Sequence, residues 1–258
     1  MAEVNADVKR RRAERRKKIV KRRLIISFVF LMIITVIVLA IMCLTVFFPV
    51  MRVNAKGSRI YTDSQIVKAS GINEESNLFT VSQKETEEKI RKKLPYVDSV
   101  ILKRELPDTV ILEVTDAKEY AAVGVEGLYF VISESGYVLN SYEEIPTNTF
   151  LLNAGEATCK VGTPITFKDS ESARLAYELA DALQKSQIKI NSIDVTNALN
   201  ITVRVCDKFD VKLGTEENLD KKILHLGGMI KSIGDRSGQI NLSMWSESQS
   251  EGSFVPEK

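Results

Sequence analysis

Residues Leu24–Phe48 form 25 consecutive positions without a charged side chain, and eleven of the 23 residues before them are Lys or Arg. Eighteen of the 25 are Leu, Ile, Val or Phe, each favouring the centre of a bilayer by about 0.3–0.6 kcal/mol. Insertion is then favoured by roughly 5–10 kcal/mol, an upper bound because the residues cannot all sit at the centre. As a helix the run is about 37 Å long, enough for a hydrocarbon core of ~30 Å with some tilt. A helix buried in a soluble core would keep a polar face, and this run has none. The run predicts a membrane-spanning helix.

The basic flank is Lys9, Arg10, Arg11, Arg12, Arg15, Arg16, Lys17, Lys18, Lys21, Arg22 and Arg23, opposed only by Glu3, Asp7 and Glu14. Residues 1–23 carry a net +8 and the remainder −6. Such an arm stays in the cytoplasm, which predicts a single-pass type II protein with its C-terminal mass outside. A cleaved signal peptide has a shorter apolar core and a small-residue cleavage site; here the run ends Val46-Phe47-Phe48-Pro49-Val50-Met51. The arm lacks aromatic residues to stack on bases and abuts the apolar run, so anionic lipid rather than nucleic acid is its expected partner.

The exported part is large enough for one sizeable domain or two small ones, and its mixed charges suit a folded chain. Cys43 lies in the predicted span, leaving Cys159 and Cys206; the sequence leaves open whether they pair.

Hydrophobic spacing and punctuation give the organisation. A short strand is expected at 50–56. Thr62 with Gln65 has capping-box spacing and opens a helix stopped by Gly71; Ser82 with Glu85 opens a second that ends before Pro95. Strands follow at 97–105 and 109–116, with Val110, Leu112 and Val114 on one face. Strand, helix, helix, strand, strand is a small α+β unit over 49–119. From Tyr120 the pattern becomes hairpins, with strands at 121–125, 128–133, 137–140 and 150–153. A helix capped at Asp169 or Ser170 carries Leu175, Leu179 and Leu183 on one stripe. Strands at 192–195, 200–206 and 209–213 lead to a helix over 216–233, with Leu219, Ile223, Leu226 and Ile230 at helical spacing. A last strand is expected at 238–245. The polar residues 246–258 read as a disordered tail. The predicted class is α+β: a transmembrane helix, a small domain, then a mixed β-sheet domain over 120–245 with two helices.

Catalytic chemistry finds little support. The single His225 sits between leucines in an amphipathic stretch, and one histidine with two exported cysteines makes no typical zinc site. Ser186-Gln187-Ile188-Lys189 matches S-x-x-K by spacing alone, and no K-T-G follows. An anchored cysteine transpeptidase would place its histidine before its cysteine, whereas His225 follows Cys206. No phosphate loop or dinucleotide fingerprint is present. Catalytic, cofactor and metal residues are expected to be none, with no small-molecule substrate. The exported part is expected to bind.

The segment KKLPYVDSVILKRELPDTVILEVTDAKEYAAV, residues 92–123, resembles the POTRA hairpin of the FtsQ/DivIB family of bacterial cell-division proteins. Leu94, Pro95, Val97, Pro107, Val114 and Ala122 fall on matching positions. Upstream, VNAKGSRIYTDSQIVKASGINEESNLFTV is similar to the first strand and helix of that domain. LYFVISESGYVL and VKLGTEENLDKKILHLGGMI resemble segments of the family's β domain, and Ile240-Asn241-Leu242-Ser243 its "iDLs" strand. Ser133 and Asn241 stand where the family often has Asp, so roles of those carboxylates do not transfer.

The resemblance implies a non-enzymatic bitopic scaffold at the division septum, with partners of the FtsB/DivIC and FtsL type and other division membrane proteins. It also implies that the final strand receives a partner segment by strand addition, here along Gln239, Ile240, Asn241, Leu242, Ser243, Met244 and Trp245. Trp245 is either an anchoring aromatic or core packing. On this reading Leu242→Pro weakens partner binding more than Leu242→Ala. A POTRA chaperone for export or outer-membrane insertion is the other binding class, but it needs repeated POTRA units or a barrel, and neither pattern appears.

Overall fold

A computed structural model of the chain describes residues 23, 26–39, 41–42, 47–73, 76–245 and 252–257. The basic arm before Arg23 lies outside them, as do parts of the predicted span (24–25, 40 and 43–46) and of the tail (246–251 and 258). Within the apolar run the described residues 26–39 are helical, with exposed side chains. Among the described residues no helix is long and apolar enough to cross a membrane.

The folded part opens with β1 (Arg52–Lys56), α1 (Asp63–Ser70), α2 (Gln83–Lys93), β2 (Val97–Glu105) and β3 (Thr109–Asp116). Both predicted helix starts hold. The Thr62 hydroxyl accepts from the Gln65 N–H while the Gln65 side chain reaches back to the Thr62 N–H, and the Ser82 hydroxyl accepts from the Glu85 N–H. The strands pair in the order β1-β3-β2. Val110, Leu112 and Val114 are buried on one face of β3; on the other, Glu113 bridges Lys56 at 3.0 Å and Lys103 at 2.7 Å. Gly57, at φ +105°, lies so close to β3 that a Cβ would meet the Val114 carbonyl oxygen at 2.3 Å.

The chain divides into two compact units. One gathers the segment ending at Val53 with Ile72–Val81 and Arg104–Val110. In it the Val50 N–H donates to the Ser76 carbonyl and the Leu78 N–H to that of Phe48, both at 2.9 Å. Phe48 and Phe79 meet edge to face at 5.2 Å, and Arg104 ties down the carbonyls of Leu78 and Val81. The Leu106-Pro107 bond in its turn is cis.

The other unit holds α1, α2 and all of the chain beyond Ile111. Its large sheet uses β4 (Ala121–Val125), β5 (Leu128–Ile132), β6 (Val138–Tyr142), β7 (Phe150–Asn153), β10 (Ile190–Asp194), β11 (Ile201–Val205), β12 (Phe209–Gly214), β13 (Gly238–Asn241) and β14 (Ser253–Pro256). The order of these nine strands is β14-β13-β12-β11-β10-β7-β4-β5-β6. A two-stranded hairpin, β8 (Ala157–Thr158) with β9 (Thr166–Phe167), forms a separate sheet whose Ala157 and Phe167 pack against the main core; too short to show any alternation, it leaves no periodic trace in the sequence. Helices α3 (Ser170–Lys185) and α4 (Leu219–Ile233) supply Leu175, Leu179, Leu183, Ile223 and Leu226 to the main core. Alternation along β4 puts Ala121 and Val123 in that core, and Ala122 in a smaller one with Val131 and Leu139.

Around the smaller core the Tyr96 hydroxyl donates to Glu119 at 2.7 Å and lies 3.2 Å from the Tyr142 hydroxyl. Burial, then the bonds to Tyr142 and Glu119, raise the Tyr96 pKa. Burial likewise pushes Tyr120 and Tyr177 up to about 12. A tyrosine with a raised folded-state pKa stabilises the fold fully below its unfolded value of about 10, and that contribution is lost as the pH climbs through the folded value. Burial lowers the Lys222 pKa and works in the opposite direction below about pH 10. Stability should therefore hold to about pH 10 and fall between there and about 12. Urea titrations across that range, read beside the ultraviolet tyrosinate band, check this; a midpoint unchanged while the tyrosines ionise would refute it.

Candidate partner-binding edge

The expected edge lies at one end of the large sheet and is built by a strand-helix-strand unit. β12 runs into α4, and β13 returns parallel to β12 with Val211 opposite Ile240. The Gly238 N–H donates to the Lys208 carbonyl at 3.0 Å and the Leu242 N–H to the Lys212 carbonyl at 2.8 Å. Even-numbered residues of this stretch thus spend their backbone groups on β12, and by the two-residue alternation Gln239 and Asn241 point theirs the other way.

The sequence-based reading needs three corrections here. First, the strand is shorter than 238–245. The Asn241 side-chain oxygen accepts from the Ser243 N–H and hydroxyl, and the Trp245 N–H donates to the Leu242 carbonyl, so the chain turns after Asn241. Leu242 through Trp245 are off the edge: Leu242 is fully buried, Ser243 and Trp245 are half-buried, and Met244 is exposed. Second, because the Leu242 N–H faces inward, Leu242→Pro would damage the protein's own ladder and does not probe an incoming strand. Gln239 and Asn241 carry the outward groups. Third, the edge is covered. Part of the tail expected to be disordered forms β14, antiparallel to β13 with Gln239 opposite Val255 and Asn241 opposite Ser253.

β14 seats well for so short a strand. The Phe254 ring packs against Phe209 at 6.3 Å and lies 5.4 Å beneath the Arg236 guanidinium. The Glu257 N–H donates to the Ser237 carbonyl at 3.0 Å. A Cβ at Gly238 would meet the Val255 carbonyl oxygen at 2.2 Å, so glycine is what lets β14 come this near. The apolar pair Phe254-Val255 in a polar tail was the available signal, too short to read as a strand by alternation.

Trp245 packs against the main core, its ring 5.9 Å from His225 on α4. Its Nε1 is buried without an acceptor among the described residues. A shallow groove beside it is lined by Leu224, His225, Gly228, Met229 and Ile233. Packing therefore accounts for one side of the ring and leaves the other on the groove. Lys222 supports the edge from below: almost wholly buried, its ammonium donates to the carbonyls of Leu213 at 2.7 Å and Thr215 at 3.0 Å, where β12 ends. Helical spacing of apolar residues could not single it out.

The positions that carried the family resemblance are structural. Leu94 caps α2 with its N–H on the Ile90 carbonyl and accepts from the Val97 N–H. Pro95 stands in the turn between them. Val97, Val114 and Ala122 are buried, and Pro107 follows the cis bond in the β2–β3 turn. Cys159 and Cys206 are both free, and burial pushes the Cys159 thiol up to about 11. Among the described residues no three His, Cys, Asp or Glu side chains converge on a metal position.

Residues 48–116 match the family model described as POTRA domain, FtsQ-type. Across most of its length the chain is also similar to proteins named Cell division protein DivIB. It is 25% identical to that of Clostridium acetobutylicum over 80% of this chain and 84% of the relative. It is 26% identical to one from Clostridium botulinum over 76% and 77%. Cell division protein FtsQ of Streptomyces collinus is 23% identical over 70% of each chain. A small α+β POTRA domain followed by a mixed-sheet domain defines the class. Along most of its length the chain is similar to proteins of the FtsQ/DivIB family, and its POTRA match is of the FtsQ type.

Proposed function

We infer that this chain is a non-enzymatic, single-pass scaffold of the bacterial division machinery. Its basic arm is cytoplasmic and in contact with anionic lipid, and its POTRA and β domains lie outside the cell membrane. Similarity to proteins named for cell division over about four-fifths of the chain carries this reading. The 25-residue uncharged run beside a +8 arm supports the topology, and so do the apolar side chains exposed along its described helix. Partners of the FtsB/DivIC and FtsL type join the β domain by pairing an extended segment with β13, whose outward groups at Gln239 and Asn241 suit strand addition. Depleting the protein should produce filamentous or chained cells, and a fluorescent fusion should collect at midcell. Normal division on depletion, with fluorescence spread evenly around the membrane, would contradict the reading.

A further inference from the structure

We propose that β14 is a removable occupant of the lane in which a partner strand pairs with β13, so that the chain's own tail competes for its binding edge. The proposal rests on the strand-addition reading above and adds what holds the edge before a partner arrives and what kind of segment replaces it.

The geometry of β14 supports removal. The strand is held by one short ladder, Gly238–Asn241 against Ser253–Pro256, extended by the Glu257 N–H on the Ser237 carbonyl, by the Phe254 ring, and by the close seat of Gly252 against Leu242 and Met229. Val255 is 60% exposed and adds little burial to hold the strand. A strand carried on the same chain is held beside its lane at a high effective concentration, so even a weak ladder stays closed until a better strand competes. β14 also protects the edge. Phe254 and Pro256 lie opposite Ile240 and Gly238, whose backbone groups face β12, so by the same alternation their own groups face away from β13. Proline there has no N–H to offer a further chain, which blunts the new edge.

The lane specifies its guest. The guest runs antiparallel to β13 and places an aromatic ring in the slot made by Phe209 and Arg236. Two residues later its backbone passes close over Gly238. Selectivity lies in the aromatic position, because the residue at the Val255 position looks into solvent.

Hydrogen exchange on the full-length chain in detergent micelles tests this, with a synthetic peptide of residues 252–258 as the probe. Removing residues 252–258, or making Phe254→Ala, should speed exchange at the Gln239 and Asn241 amides by about tenfold or more, while Val255→Ala and the amides of β12 remain unchanged. Millimolar peptide should restore protection to the truncated chain, and the same peptide with Phe254→Ala should not. Unchanged exchange on truncation would overturn the proposal by showing that the tail does not hold the lane, and would leave the strand-addition reading standing. Faster exchange that no peptide reverses would show that the edge does not accept a free strand, and would sink both.

Discussion

Lys222→Ala should lower the stability of the fold by about 2–4 kcal/mol. Truncation removes a four-carbon stem from a site where the whole side chain is buried, and it strips donors from the carbonyls of Leu213 and Thr215. An unsatisfied buried acceptor costs about 1–3 kcal/mol. Relief of the charge's desolvation, which is what lowers the Lys222 pKa, offsets part of the loss. Lys222→Met separates the two contributions: it keeps most of the packing, so it should lose only the hydrogen-bond share. Urea unfolding followed by the fluorescence of Trp245, the single tryptophan, gives both numbers. A loss under about 0.5 kcal/mol for the alanine variant, the range of an ordinary surface change, would mean Lys222 does not anchor the end of β12.

Gln239→Pro should reduce co-purification of the proposed FtsB/DivIC-type partner from cells by about tenfold, while Gln239→Ala leaves it within about twofold. Proline removes an outward N–H worth about 1 kcal/mol in a ladder and places its ring where the incoming backbone must lie. The fold itself should tolerate the change, because the Gln239 N–H faces only the β14 lane and the ladder between β13 and β12 is left intact. An undiminished yield from Gln239→Pro would argue that the partner binds elsewhere.

Much of this architecture was legible because local chemistry and global fold agree. The capping pairs Thr62–Gln65 and Ser82–Glu85 mark helix starts that the structure keeps. Alternation at Val110, Leu112 and Val114 gave the buried face of β3, and the Leu175–Leu179–Leu183 stripe gave the core face of α3. The binding edge was harder to read. Spacing reveals that a strand begins near Gly238, yet not that Asn241 ends it by accepting from Ser243. Which residues face outward depends on the pairing with β12, a register between distant segments that one strand's sequence does not encode. Nothing in the helix's own spacing marks Lys222, because its acceptors, the carbonyls of Leu213 and Thr215, lie outside the helix. β14 was missed because two apolar residues in a polar tail gain order only from the lane that Gly238 and Phe209 already provide.

Photocrosslinking in dividing cells bears most directly on the central claim that another division protein pairs with β13. A photoreactive amino acid at Gln239 or Asn241 should yield an adduct with a membrane-anchored division protein, and one at Lys168, exposed elsewhere on the same unit, should not. Adducts at Lys168 with none at Gln239 or Asn241, in cells that the variants keep dividing normally, would contradict the account.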